Sequence, residues 1–98
     1  MPEKRILHLT LKKKWFDMIL AGIKREEYRA DKPYWEKRLD GKTFDIVRFR
    51  NGYGKNAPAM NVEFVGIKYG RGNPCWGADW RDPVYIIELG KIIRTQNA

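Results

Sequence analysis

Ala21-Gly22-Ile23-Lys24-Arg25-Glu26-Glu27-Tyr28-Arg29 (AGIKREEYR) is the stretch on which the fold turns, because one periodicity stops at Gly22 and another starts after it. Upstream, Leu11, Trp15, Met18 and Ile19 fall at i, i+4, i+7 and i+8, one face of an amphipathic helix that leaves Lys13, Lys14 and Asp17 outside. Thr10 is a candidate N-cap for this helix, and Gly22 a candidate C′ residue that ends it in the left-handed conformation. Downstream, Ile23 to Arg29 reads as a short charged strand. Glu27 and Arg29, two residues apart, share one face of it. A carboxylate and a guanidinium side by side orient each other and present a fork of donors to a phosphate or a base edge. Lys24 follows the helix end, where the carbonyl dipole favours a cation. The same residues also make a solvated edge strand whose charges discourage aggregation.

Working outward, Ile6 to Leu11 alternates Leu7, Leu9 and Leu11 against Ile6, His8 and Thr10, the pattern of a half-buried strand. Asp31-Lys32-Pro33 starts a second helix with Pro33 in its first turn. Trp35 and Leu39 anchor it to the core at i and i+4, and Asp40-Gly41-Lys42 closes it. The strand Phe44 to Arg50 runs into a turn-rich loop through Asn51, Gly52, Tyr53 and Gly54 as far as Pro58. It pairs as an antiparallel hairpin with Ala59 to Tyr69, where Gly66 marks a bulge. Gly70 to Pro83 is too rich in Gly and Pro for regular structure. Val84 to Ile93 is the most apolar run and reads as a central strand bent at Gly90; Arg94 to Ala98 is expected to fray. The order β-α-β-α-β-β-β, with about five short strands, predicts an α+β chain built as a small twisted barrel with helices on one side.

The chain has 98 residues, the size of one domain, with no internal repeat or linker. A chain of this length buries about 60–65% of its unfolded surface, and the four Trp, five Tyr and four Phe supply enough bulk for one core. Twenty Lys and Arg against twelve Asp and Glu give a formal net charge of +8, which attracts polyanions through counterion release as well as aiding solubility. Cys75 is the only cysteine, so an intrachain disulfide is excluded and a reducing, cytoplasmic setting is expected. With His8 as the only histidine, neither a metal site nor a cofactor is expected. The apolar run around Met18 to Ala21 is too short to span a bilayer, and the charged start Met1-Pro2-Glu3-Lys4-Arg5 does not read as a signal peptide.

Gly22, Lys24, Glu27 and Arg29 reproduce G-x-K-x-x-E-x-R, and in this the chain resembles the ASCH domains, a branch of the PUA-like β-barrel superfamily. The upstream helix, the basic hairpin and the closing apolar strand follow in that family's order, so the resemblance covers Ile6 to Ile93. It implies a PUA-like β-barrel of about five to six strands with two flanking helices. It further implies a cleft lined by Lys24, Glu27 and Arg29, with Gly22 needed for the turn, and a role in binding RNA, nucleotides or nucleosides. Some small members of the family hydrolyse the amide of 4-acetylcytidine and others are described as ribonucleases; on that reading Lys24 and Glu27 are the catalytic candidates. In the amidohydrolase branch the signature glutamate is typically threonine, and a further glutamate precedes the last strand. Here position 27 is Glu, and Gly70 to Pro83 offers Asp79 and Asp82 but no Glu.

Two further constellations extend the expected binding surface. Arg48 and Arg50 share a strand face and lead into Asn51, Tyr53 and Lys55; with Lys68 and Arg71 they form a basic surface on which Tyr53 stacks a base. The loop Cys75-Trp76-Gly77-Ala78-Asp79-Trp80-Arg81 carries two Trp that are costly to expose. One is expected to plug the barrel end and the other to form a stacking platform, the sequence leaving open which. Cys75 reads as a small buried residue and His8 as a packed or hydrogen-bonded one. An RNA or nucleotide partner is favoured, and an acidic protein partner is the competing class.

Overall fold

The computed structural model describes residues 3–98; Met1 and Pro2, which begin the charged N-terminal run, lie outside the described residues. The chain runs β1 (Ile6–Leu11), α1 (Lys13–Leu20), β2 (Glu26–Ala30), α2 (Pro33–Leu39), β3 (Ile46–Asn51), β4 (Ala59–Gly70), a short 3-10 turn (Pro74–Trp76) and β5 (Val84–Gln96). This is an α+β architecture in which five strands, in the order β1-β3-β4-β5-β2, curl into a half-barrel accompanied by the two helices. The β1–β3 pair is parallel, with Leu7 beside Val47 and Leu9 beside Phe49; the other three pairs are antiparallel. Among the described residues no helix is long and apolar enough to cross a membrane.

Helix α1 stops where the sequence places its stop. Gly22 has φ +78°, its N–H donates to the Ile19 carbonyl at 3.0 Å, and the Ile23 N–H reaches back to the Met18 carbonyl at 3.0 Å. These are the two reversed bonds of a Schellman motif, which satisfies carbonyls the helix would otherwise leave unpaired. Lys24 also donates its N–H to the Met18 carbonyl, at 3.1 Å. The turn therefore consumes the residues after Gly22, and β2 begins at Glu26 rather than Ile23. Thr10 does not cap α1: β1 holds its pairing with β3 as far as Leu11, so Lys12 occupies the cap position and provides no side-chain bond.

The main core gathers Leu7, Leu9 and Leu11 of β1, Phe16 and Ile19 of α1, Leu39 of α2, Val47 and Phe49 of β3, Met60 and Val62 of β4, and Tyr85, Ile87 and Leu89 of β5. A second cluster, Tyr28, Ala78, Val84 and Ile86 with Trp76 against it, lies on the opposite face of β2 and β5 under the loop before β5. The run Val84 to Leu89 is nearly uniformly apolar because both of its faces are covered, a pattern that alternation alone does not reveal. Within the covering loop Gly72 lies against the Tyr28 ring, and a Cβ there would come within 2.5 Å of Cε1, closer than packing allows.

The β4–β5 ladder shifts register between Phe64 and Gly66, where the bulge was expected, and again on either side of Val62. Such bulges bend a strand and strengthen its twist. The C-terminal run corrects the expectation of fraying from Arg94: Arg94, Thr95 and Gln96 pair with Asn61, Met60 and Ala59. The long β4 offers backbone partners that a tail read on its own lacks.

Candidate functional site

Register places the signature. On β2, Glu27 stands beside Ile87 and Arg29 beside Tyr85, both core residues of β5, so Glu27 and Arg29 face the interior of the half-barrel. Tyr28, between them, pairs with Ile86 and faces the second cluster. The Schellman turn returns Lys24 to the same place. Its Nζ lies 3.1 Å from Glu27 Oε1, while Arg29 Nη1 donates to Glu27 Oε2 at 2.5 Å. One carboxylate thus sits between two cations, and the side chains of Lys24 and Glu27 are only 0% and 6% exposed.

Each member has further partners. The Lys24 ammonium donates to the Trp76 carbonyl and stands 4.7 Å from the Tyr28 ring centroid and 5.1 Å from that of Trp15. Arg29 Nη1 also donates to the Tyr28 carbonyl at 2.8 Å. Its Nη2 reaches the Thr10 carbonyl on β1 at 3.3 Å, and its guanidinium carbon is 5.1 Å from the Trp35 ring centroid. Arg29 therefore bridges β2 to β1, the two edge strands of the sheet, and partly closes the seam of the half-barrel. Among the described residues no buried side-chain nitrogen or oxygen lacks a hydrogen-bond partner.

Burial lowers the Lys24 pKa from its ordinary value, because the charged amine has lost its water; the Glu27 carboxylate opposes that shift and the nearby Arg29 charge adds to it. Burial likewise raises the Tyr28 phenol. Its oxygen accepts the Asn73 N–H at 2.9 Å and donates to Glu26 Oε1 at 2.7 Å. With its three groups ionised, the Lys24–Glu27–Arg29 cluster carries one excess positive charge in a poorly solvated place, a setting that attracts an anion. The groove that reaches Lys24, between Ile19, Gly22 and Gly90, has a volume of about 150 Å³. That is below the roughly 300 Å³ at which small-molecule pockets begin.

The remaining predicted residues spread over other surfaces. Arg48 and Arg50 lie on the outer face of β3; Arg48 donates to Asn61 Oδ1 and Gln96 Oε1, each at 2.9 Å, and Arg50 to the Gly54 carbonyl at 2.7 Å. All three acceptors are neutral, so among the described residues neither charge has an ionic partner. Tyr53 is 86% exposed beyond them. Lys68 sits 3.4 Å from Glu88 and 4.0 Å from Glu26, so carboxylates face its charge where an extension of the basic surface was expected. Arg71 donates to the Trp80 carbonyl at 2.8 Å within the covering loop. Trp76 packs against the second cluster, on the face of β2 and β5 opposite the main core rather than in the end of the half-barrel, while Trp80 is 73% exposed.

Cys75, read as a small buried residue, is exposed; His8, read as packed or hydrogen-bonded, is exposed and makes no side-chain hydrogen bond among the described residues. Asp79 is occupied by Arg81 at 3.2 Å, and among the described residues no hydrogen bond or ion pair joins Asp79 or Asp82 to Lys24. Sequence reasoning missed Trp15, Trp35, the Thr10 carbonyl and the Trp76 carbonyl as parts of the site. Trp15 and Trp35 carried a signal only as helix-face apolar residues, and the two carbonyls carried none. Comparisons of the chain with family models, with curated proteins and with solved structures found no match.

Proposed function

We propose that this chain is an RNA- or nucleotide-binding domain of the PUA-like, ASCH type, which receives a phosphate or a base edge at the seam between β1 and β2. The observation that carries this reading is the joining of Lys24, Glu27 and Arg29 in one cluster with a single carboxylate between two cations. A purely structural ion pair is complete with one cation for one anion. The second cation leaves a positive field that a phosphate oxygen complements. Arg29, with its side chain 16% exposed, is the member a ligand reaches, and the outward Arg48 and Arg50 supply longer-range attraction. The test compares a short single-stranded RNA with an acidic peptide of equal charge at the same salt. Tighter binding of the RNA supports the reading; equal or stronger binding of the peptide favours an acidic protein partner instead.

A second reading, hydrolysis of a nucleoside amide or a phosphodiester, draws support from the lowered pKa of Lys24 beside Glu27, since a general base needs a pKa near the working pH. Against it, the Trp76 carbonyl and Glu27 already hold the Lys24 amine, and Arg29 holds the other oxygen of Glu27. Little or no release of cytidine from 4-acetylcytidine is therefore expected. Turnover above about 1 per second, lost in both Lys24→Ala and Glu27→Gln, would make hydrolysis the primary function.

A further inference from the structure

Beside the seam, β1 and α2 enclose a second groove of about 350 Å³, lined by Ile6, Tyr34, Trp35, Arg38, Lys42 and Phe44. Its volume is in the range of pockets that take small ligands. One part of its wall is aromatic and apolar, and another carries the cations Arg38 and Lys42. Neither forms an ion pair among the described residues, whereas Lys13, Lys24, Lys68, Arg29 and Arg81 each have a carboxylate partner.

The groove is joined to the seam through side chains. The Arg29 guanidinium lies 5.1 Å from the Trp35 ring, Trp35 meets Tyr34 edge-on at 4.8 Å, and the Arg38 guanidinium lies 4.5 Å from the Tyr34 ring. The result is a ladder of cation, ring, ring and cation running from the buried cluster to the surface. Tyr34 is 57% exposed, so much of its surface remains open to a ligand. Aromatic faces stack any base, and a guanidinium held against a ring keeps its N–H fork free for phosphate.

From this arrangement we infer that the β1–α2 groove is a nucleotide subsite, in which a base stacks on the exposed Tyr34 ring beside Trp35 and the attached phosphate meets Arg38 and Lys42. The subsite deepens the nucleic-acid reading and rests on it: a strand whose phosphate or base edge meets Arg29 continues along the ladder into the groove. The chemistry required is an aromatic base with a phosphate, which either a single-stranded RNA or a free mononucleotide supplies.

The experiment titrates the full-length, isotope-labelled protein with a single-stranded RNA hexamer and, separately, with a 5′-mononucleotide. Amide signals of Tyr34 and Arg38 and the indole signal of Trp35 are followed by NMR. Shifts at these positions with the hexamer alone support the subsite and identify a strand as the source; shifts with the mononucleotide as well support it with a free nucleotide as sufficient. Tyr34→Ala and Arg38→Gln, both at exposed positions, are expected to keep the wild-type melting temperature and to lose about tenfold in hexamer affinity. If the hexamer shifts only signals around Lys24 and Arg29 and binds both variants as tightly as wild type, the subsite is refuted while the seam reading stands. If wild type binds neither probe, both fall.

Discussion

Lys24 and Arg38 are both cations set over tyrosine rings, at 4.7 Å and 4.5 Å from the centroids, yet they do opposite work. The Lys24 side chain is fully enclosed, so its charge has lost water and persists only because Glu27 and the Trp76 carbonyl replace it. Arg38 lies at the surface, keeps its water, and has no carboxylate partner among the described residues. A buried charge is coupled to its neighbours, and removing one neighbour costs far more than the contact itself contributes. An exposed charge contributes little to stability and remains free to meet a ligand. The seam is thus expected to respond to substitution mainly through folding, and the β1–α2 groove mainly through affinity.

The largest effect should follow Glu27→Gln, which leaves Lys24 and Arg29 together without their shared anion. Removing one partner of a buried charge set typically costs about 3–5 kcal/mol, a large part of the roughly 5–15 kcal/mol that stabilises a small domain. Urea unfolding measures it directly, and a loss below about 1 kcal/mol would show that the seam charges are not coupled. Arg29→Ala should cost about 1–3 kcal/mol, because it strips Glu27 of one donor and opens the bridge to the Thr10 carbonyl. Affinity for RNA should fall alongside it. A large drop in melting temperature with unaltered affinity would make Arg29 a structural residue only.

The two loop tryptophans sharpen the same contrast. Trp76→Ala removes a ring packed against Tyr28, Ala78, Val84 and Ile86, and should cost about 2 kcal/mol. Trp80→Ala, at an exposed position, should stay within about 0.5 kcal/mol of wild type. Equal losses for both would refute the division into packed ring and free ring.

The smallest effect is one of pH. Because Lys24 has a folded-state pKa below its ordinary 10.5, the folded chain gives up this proton before the unfolded chain does. Between the lowered pKa and 10.5 the unfolded state binds more protons, so the Lys24 contribution to stability rises with pH. Above about pH 10 the burial-raised Tyr28 phenol pulls the other way. The stability of wild type relative to Lys24→Met should therefore climb as pH rises towards the ordinary lysine value of 10.5; a flat difference would show that Lys24 is not titrating in a desolvated site. Methionine keeps much of the shape but leaves Glu27 Oε1 and the Trp76 carbonyl without the ammonium, so it carries its own cost at neutral pH, and the comparison is read from its slope against pH rather than from that offset.

What the sequence makes legible is mostly local. Gly22 ends α1, Pro33 opens α2, Gly66 marks a bulge, and β3 turns back into β4, each encoded within a few residues. The sharing of one face by Glu27 and Arg29 follows from strand periodicity alone. The burial of that face depends on which strand lies beside β2, and β5 lies more than 50 residues away in sequence. The parallel pairing of β1 with β3, the ion pairs of Lys68 with Glu26 and Glu88, and the approach of Trp35 to Arg29 are likewise contacts across the folded sheet. Thr10 has a favourable cap side chain but is kept in β1 by its partner strand. Tertiary pairing overrides local preference there.

The most direct test of nucleic-acid binding is the affinity of the wild-type protein for a short single-stranded RNA across a range of salt concentrations, followed by fluorescence anisotropy. With about three to five phosphates neutralised, the logarithm of affinity should fall against the logarithm of salt with a slope of about −2 to −4. A slope near zero, or no binding at low salt, would contradict the account.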